Sequence, residues 1–425
     1  MPKTLKIEKL IEKIEGEATL HFHMKEKKIS FVDIVFASSR GIEQILQNKP
    51  ALDALVINPR VCGICGHAHL IATVKALEDC YEDIEISNKA KIIRELTLNF
   101  EIIQNHFKWF YLTIMPLLKE EQNVMRAAKP SQLMSKAIAH LAGQYPHNSY
   151  AIVGGVVCDP SPMDMLKVQH LLQETIRFFE AHLVHGESEK LLVCEKIEEL
   201  LARGGDLPHI LNKIVDQELQ HCGKSFDRFI VFGENSYFQR GKASKTRIQP
   251  NISEVYLDVE ANSNSLAKNV LYKQRYYEVG PLSRAMMLKT PLIKDAHRRF
   301  GDSLMSRILA RVCETLQLLN HSLSLIKEID LDEPSYIKPS TDIQHITGEG
   351  VGAVEAARGS LIHKVQLVEG TITSYQLITP TQWNLSQGTQ ENPGVSQQAM
   401  LGLEEIETAE LVFKSFDVCS VCTTH

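Results

Sequence analysis

Apolar residues recur along this chain with two different periods. From Asn88 to about Leu118, Ile92, Leu96, Phe100, Ile103, Phe107, Phe110 and Ile114 lie three or four residues apart. That spacing puts them on one face of a helix, which Pro116 is expected to close. Leu304, Ile308, Val312, Leu316, Leu319 and Leu323 repeat the pattern over Asp302–Glu328, and a third helix is predicted near Met163–Val184. The opening of the chain has the shorter period. Leu20, Phe22 and Met24 alternate with polar residues, and Ile29, Phe31 and Ile34 resume the alternation after the charged turn Lys25–Lys28. These runs predict paired strands. Leu361–Val368 and Thr371–Thr379 alternate around Glu369-Gly370, a hairpin signal. A hairpin brings the start of its first strand beside the end of its second, so Arg358 is expected near Pro380–Leu385. Gly204–Pro208 reads as a turn and Gly233–Val259 as a polar, β-leaning stretch. Ser386–Gln398 reads as a loop before a short helix. The predicted fold is mainly α (α+β), a long-helix bundle core with peripheral antiparallel sheet and hairpins.

Composition excludes several functions. Lys+Arg 46 against Asp+Glu 52 leaves a net charge of −6 over 425 residues, so no basic excess marks a nucleic-acid partner. The longest apolar runs, such as Phe110–Leu118, reach about half of the roughly 20 residues a membrane span needs. Met1–Glu8 carries charges where an export signal needs an apolar run. A cytoplasmic chain is expected, or one exported or attached to a membrane through a partner subunit.

Nine cysteines are too few, and odd in number, for a disulfide scaffold. Cys80, Cys158, Cys194, Cys222 and Cys313 stand singly, and Cys80, Cys194 and Cys313 read as buried, inert thiols in apolar stretches. His21 and His23 share a strand face but lack a third ligand, so they read as an exposed face. The remaining four cysteines form two Cys-x-x-Cys pairs, Cys62/Cys65 and Cys419/Cys422, at opposite ends of the chain. Such knuckles let both sulfurs converge on one metal, and by themselves they suit structural zinc. Three features pull against zinc. The pairs do not staple a small domain that needs metal to fold. Each is followed by a histidine, His69 or His425. The ligand-like His425 is also the final residue.

The segments Arg60-Val61-Cys62-Gly63-Ile64-Cys65-Gly66-His67-Ala68-His69 and Ser415-Phe416-Asp417-Val418-Cys419-Ser420-Val421-Cys422-Thr423-Thr424-His425 resemble the two signature motifs of the nickel–iron hydrogenase large subunit. Before the first of them, Glu15-Gly16 and Arg40-Gly41-Ile42-Glu43, and between the two, His147 through Val153-Gly154-Gly155-Val156, Glu278–Arg284, Glu355–His363 and Pro380–Asn384 resemble further blocks of that family, in its order. The chain departs from the family pattern at Val418 and Ala357, where proline is usual. It departs again at Asn105, where an acidic or hydroxylic residue is common, and at Lys414, where arginine is frequent. These changes touch the metal surroundings and leave the ligands alone.

The resemblance implies a nickel held by Cys62, Cys65, Cys419 and Cys422, with Cys65 and Cys422 bridging to an iron that carries carbon monoxide and cyanide. Soft thiolates suit such a redox-active metal. Glu43, the Leu385 carbonyl and His425 are implied to bind Mg2+ or a similar ion that pins the tail. His69 is implied to hydrogen-bond a bridging sulfur, with Ala357 and Arg358 beside the cofactor. Without the resemblance, Glu43 reads as a helix-start carboxylate, Glu15 as a solvated turn residue and His425 as a terminus. Both ends of the chain would build one site, so residues 1–425 are expected to form one interlaced domain.

The implied activity is reversible, heterolytic oxidation of dihydrogen. Cys419 would accept the proton and Glu15 relay it. Arg358 would act electrostatically, since a guanidinium is almost never deprotonated, and Asp417 would hold it in place. No cluster-type cysteine run is present, so iron–sulfur clusters are expected only in a small-subunit partner, in a heterodimer or larger assembly made with maturation factors. A slow-turnover dihydrogen sensor is the alternative; sensors of this family typically lack a C-terminal extension. A structural zinc protein, or a metal-free relative such as the quinone-oxidoreductase subunit, fits less well, because those relatives have lost the four cysteines.

Overall fold

Four capped helices form the core of the computed structural model, which describes residues 5–14, 16–36, 39–243, 249–258 and 265–419. In chain order the elements that matter for the site are strands β1 (Leu5–Ile14), β2 (Gly16–Lys25) and β3 (Lys28–Val35), then helices α1 (Ile42–Leu46), α2 (Gly66–Glu78), α3 (Asn88–Trp109), α4 (Val124–Ala142) and α5 (Pro162–His182). Helices α6 (Asp206–Asp216), α7 (Pro281–Leu288) and α8 (Leu304–Glu328) follow. Strands β4 (Gly348–Ala356), β5 (Gly359–Val368) and β6 (Thr371–Ile378) lead into helices α9 (Pro380–Leu385), α10 (Val395–Met400) and α11 (Ile406–Ser415).

Helix α3 packs on α4 and α8, and α5 packs on the same two. Local chemistry starts each of these helices. Ser87, Asn123, Ser161 and Ser303 accept a hydrogen bond from a first-turn N–H, and Ser161 forms a reciprocal box with Asp164. The apolar stripe expected over Asn88–Leu118 is continuous, but the helix loosens to a π turn at Phe110–Ile114 and ends in Met115–Leu117. Pro116 therefore sits at the start of a turn, where a missing N–H costs nothing.

Two antiparallel three-stranded sheets flank the helices, in the orders β1-β2-β3 and β4-β5-β6. Phe22 pairs with Val32 and Leu20 with Ile34, both core-facing. Strand β1 escaped the sequence reading because Lys9 breaks the alternation that Leu5, Lys6, Ile7 and Glu8 begin. His23 spends its Nε2 on the Asp33 carboxylate at 2.7 Å. The predicted hairpin is present as β5 and β6, with Val368 opposite Thr371, and gains an unforeseen neighbour in β4. Ala356 faces Gly359 across the β4–β5 turn, so Ala357 and Arg358 occupy its tip. Gly359 has φ +131, and a Cβ there would lie 2.6 Å from Val279 Cγ2; only glycine lets the Val279-Gly280 segment approach this turn.

Two loop expectations need correction. Asp206, Leu207 and Pro208 belong to α6, leaving only Gly204-Gly205 as a turn; proline in a first helical turn gives up an N–H that has no partner anyway. Helix α10 starts inside the expected Ser386–Gln398 loop, because Gln397 Oε1 accepts the N–H groups of Gly394 and Gly388, each at 2.8 Å. Of the Gly233–Val259 stretch, only Gly241–Ala243 and Val255–Asp258 are strand among the described residues. Cys194 and Cys313 are buried, but Cys80 is half-buried just past the end of α2. Burial still pushes its thiol up to about 11, with Asp79 adding to the effect, which disfavours the reactive thiolate.

Candidate metal centre

The first cysteine knuckle runs from Val61 into the N-terminus of α2, with Cys65 at the N-cap position. Its side chain makes no cap bond. The cap comes from α3 instead. Glu101 Oε2 accepts the His67 N–H at 2.9 Å and Oε1 accepts that of Ala68 at 3.0 Å. From outside, Arg40 Nη1 donates to the Val61 carbonyl at 2.8 Å. Cys62 and Cys65 are buried. The chain returns to this point after α11, where Phe416 through Cys419 are buried as well. Cys62 Sγ and Cys419 Sγ stand 3.8 Å apart, 357 residues apart in sequence. Two thiolates about 2.3 Å from one tetrahedral metal would be separated by about 3.8 Å.

Arg358 reaches the same place from the β4–β5 turn. Its Nε donates to the Asp417 carbonyl at 2.8 Å and its Nη2 to the Asp417 carboxylate at 3.2 Å. Burial works against its charge, but Asp417 and the thiolates of Cys419, Cys65 and Cys62 hold it well above the ordinary arginine value. Arg358 Nη1 is buried with no partner. A donor left over beside thiolates fits a bound group that carries hydrogen-bond acceptors of its own.

Behind Arg358 lies a ladder of buried charge. Arg311 Nη1 donates to Asp417 Oδ2 at 2.9 Å and lies 3.2 Å from His106 Nδ1. Arginine only donates, so Nδ1 accepts and the proton of His106 is on Nε2, which bonds Glu314 Oε2 at 2.8 Å. Glu314 takes Arg284 at 2.6 and 2.7 Å, and Arg284 Nη1 reaches Glu355 at 3.0 Å. The three arginines (Arg284, Arg311, Arg358) balance the three carboxylates (Glu314, Glu355, Asp417). His106 stays neutral: burial pushes it down to about 4, with Glu314 opposing. Glu314 goes to about 2; burial resists, and Arg284 and His106 overcome it. Burial raises Glu101 to about 8, against the pull of its two N–H donors.

The other expected site residues divide. His69, buried, faces His363, with Nδ1 and Nε2 3.1 Å apart, and His363 continues to Thr73 and Tyr375. Glu43 lies on α1, accepts the Leu377 N–H at 2.9 Å and pairs with Lys268. A divalent ion there would share its carboxylate with a fixed ammonium. Leu385 is buried among Phe416, Val418 and Val395, and Ala357 offers its carbonyl to Arg311 at 3.3 Å. Glu15, Cys422 and His425 lie outside the described residues. A cavity of about 380 Å3 beside the centre is lined by Ile64, Asn105, Trp109, Arg358 and Val418. Asn105, at one of the departures from the family pattern, donates to the Ile64 and Glu101 carbonyls, each at 2.7 Å. Glu101, Arg311 and Glu314 escaped the sequence reading. Their signal was present, as ionisable residues within the apolar stretches of two long helices.

The description of the family model that matches residues 40–115 and 232–425 is nickel-dependent hydrogenase, which accounts for more than half of the chain. The chain belongs to the nickel-dependent hydrogenase family. This hydrogenase chain is an oxidoreductase acting on dihydrogen, of the large-subunit type. It is 24% identical over 418 residues to the alpha subunit of the coenzyme F420 hydrogenase of Methanothermobacter thermautotrophicus, covering 97% of this chain and 92% of that one. It is 23% identical to the alpha subunit of sulfhydrogenase 1 of Pyrococcus furiosus, covering 98% and 96%. Among solved structures, the Ni-Fe-Se hydrogenase of D. vulgaris Hildenborough superposes with a TM-score of 0.85 at 21% identity, over 100% of both chains. The long-helix fold with peripheral sheets is thus that of the hydrogenase large subunit. No helix among the described residues is long and apolar enough to cross a membrane.

Proposed function

We propose that this chain is the catalytic subunit of a nickel–iron hydrogenase that oxidises dihydrogen and passes electrons to an iron–sulfur partner. The observation that carries the reading is the approach of Cys62 Sγ to Cys419 Sγ within 3.8 Å in a buried site. Cys62, Cys65, Cys419 and Cys422 would hold nickel, with iron shared at Cys65 and Cys422. When bound, the centre supplies heterolytic cleavage of dihydrogen.

The chain's own residues would handle the proton. Cys419 Sγ accepts it, and the Glu15 carboxylate carries it onward. Arg358 would supply fixed positive charge beside the centre, and its Nη1, buried without a partner in the protein, would be available to donate to an acceptor on the bound group. Asp417 and Arg311 fix that arginine. His69, held by His363, would orient a sulfur, and Ala357 sets the turn that presents Arg358. A magnesium-type ion at Glu43, Leu385 and His425 would anchor the tail. The five other cysteines of this chain are scattered, which favours clusters in a partner, as a heterodimer or larger assembly.

Elemental analysis of the purified protein tests the reading. Nickel and iron near one each per chain, apart from cluster iron, are expected; zinc alone would overturn it.

A further inference from the structure

Cys65 stands where a helix N-terminus normally receives its cap. The N-cap residue usually turns its own side chain onto the second or third N–H of the helix, and a thiolate committed to a metal cannot do so. In this chain, Glu101 of α3 takes both bonds, one carboxylate oxygen on the His67 N–H and the other on the Ala68 N–H. The carboxylate is almost fully buried, and its main chain is tied in turn: Asn105 Nδ2 bonds the Glu101 carbonyl and the Ile64 carbonyl, one residue before Cys65. Gly66 closes the clamp from the other side, where a Cβ would stand 2.6 Å from the Pro59 carbonyl oxygen.

We propose that Glu101 is a positioning residue for the metal centre, a cap supplied from a neighbouring helix that fixes the Cys65 backbone so its sulfur is presented to the metal. This rests on the nickel–iron reading of the cysteines and adds to it a residue from outside the cysteine motifs. The two carboxyl oxygens also lie at the positive end of α2, where hydrogen-bond acceptors are favoured. Glu78, near the other end of the same helix, is a built-in comparison. It is buried and accepts Arg94 and the Gly154 N–H at 2.7–3.0 Å, so its loss disturbs α2 without touching Cys65.

The test uses the assembled holoenzyme as wild type, Glu101→Gln, Glu101→Leu and Glu78→Gln. It reads nickel per chain after dialysis against a chelator, the nickel electron-paramagnetic-resonance signature and the thermal midpoint. Glu101→Gln keeps the shape but sets an amide N–H against a backbone N–H. It is expected to lose nickel about 10- to 100-fold more readily, the usual range for a residue behind a metal ligand, and to shift the nickel signature. Glu101→Leu should do so more strongly and Glu78→Gln should leave the signature in place. A wild-type signature and retention in folded Glu101→Gln would overturn the proposal, as would equal changes in Glu78→Gln. Hydrogen exchange on the wild type needs no variant: the His67 and Ala68 amides should be among the slowest of the chain, and rapid exchange there also overturns it. Wild type without nickel would instead defeat the nickel–iron reading.

Discussion

Arg358 is tied twice to Asp417, once through the backbone carbonyl at 2.8 Å and once through the carboxylate at 3.2 Å. The first bond survives any substitution at position 417; the second does not. Asp417→Asn would leave the carbonyl bond but remove the negative charge that Arg358 and Arg311 share. Two buried cations would then face each other across a neutral amide. Removing one partner of a buried ion pair costs about 3–5 kcal/mol, so urea unfolding should show a loss of that order. Dihydrogen uptake should fall more than stability alone explains, because the guanidinium loses its fixed direction.

Arg358→Lys tests the same geometry from the other side. Lysine keeps the charge but not the planar fork that bonds Asp417 and leaves Nη1 pointing into the site. Uptake is expected to drop roughly 100- to 1,000-fold, the usual effect of losing an electrostatic donor in a dry site, with nickel content unchanged. Near-normal uptake would show that only charge matters.

Acid should expose the buried ladder. Glu314 is held at about 2 in the fold, with burial opposed by Arg284 and His106, and near 4.5 in an unfolded chain. A depressed carboxyl stabilises the fold above the unfolded value and loses that contribution as pH falls toward the folded one. Stability of the wild type should therefore decline between about pH 4.5 and pH 2. Glu314→Gln should be less stable at neutral pH and show a flatter decline over that window in pH-dependent urea melts.

Much of this was legible in the residues. The three long helices, the β2–β3 pair and the β5–β6 hairpin follow from apolar spacing that tertiary contacts then reinforce. The cysteine knuckles could be read because a metal leaves little choice of residue or spacing. The elements that escaped carry weak patterns of their own. Strand β1 is charged on its open face, β4 is rich in glycine, and α10 is capped by Gln397 rather than by a residue before it. The Arg284–Glu314–His106–Arg311 ladder joins three helices, so no local pattern announces it. Lys268 beside Glu43 was likewise invisible, being 225 residues away.

Cys65→Ser should abolish both nickel retention and dihydrogen activity, since an alkoxide-type oxygen cannot replace a bridging thiolate. Metal analysis and uptake on the same preparation check this together. Retained nickel would remove Cys65 from the ligand set.

Glu15 lies outside the described residues, and its role rests on the family resemblance. Glu15→Gln should keep the metals but lose dihydrogen/water isotope exchange, because an amide cannot take up the proton. Normal exchange would remove Glu15 from the relay.

Nickel K-edge X-ray absorption on the purified protein and on Cys419→Ser tests most directly whether the two ends of the chain close on one nickel-containing centre. A first shell made mainly of sulfur in the wild type, with a sulfur scatterer or the nickel itself lost in the variant, is the expected result. A shell of nitrogen and oxygen, or a spectrum that the variant leaves unchanged, would contradict it.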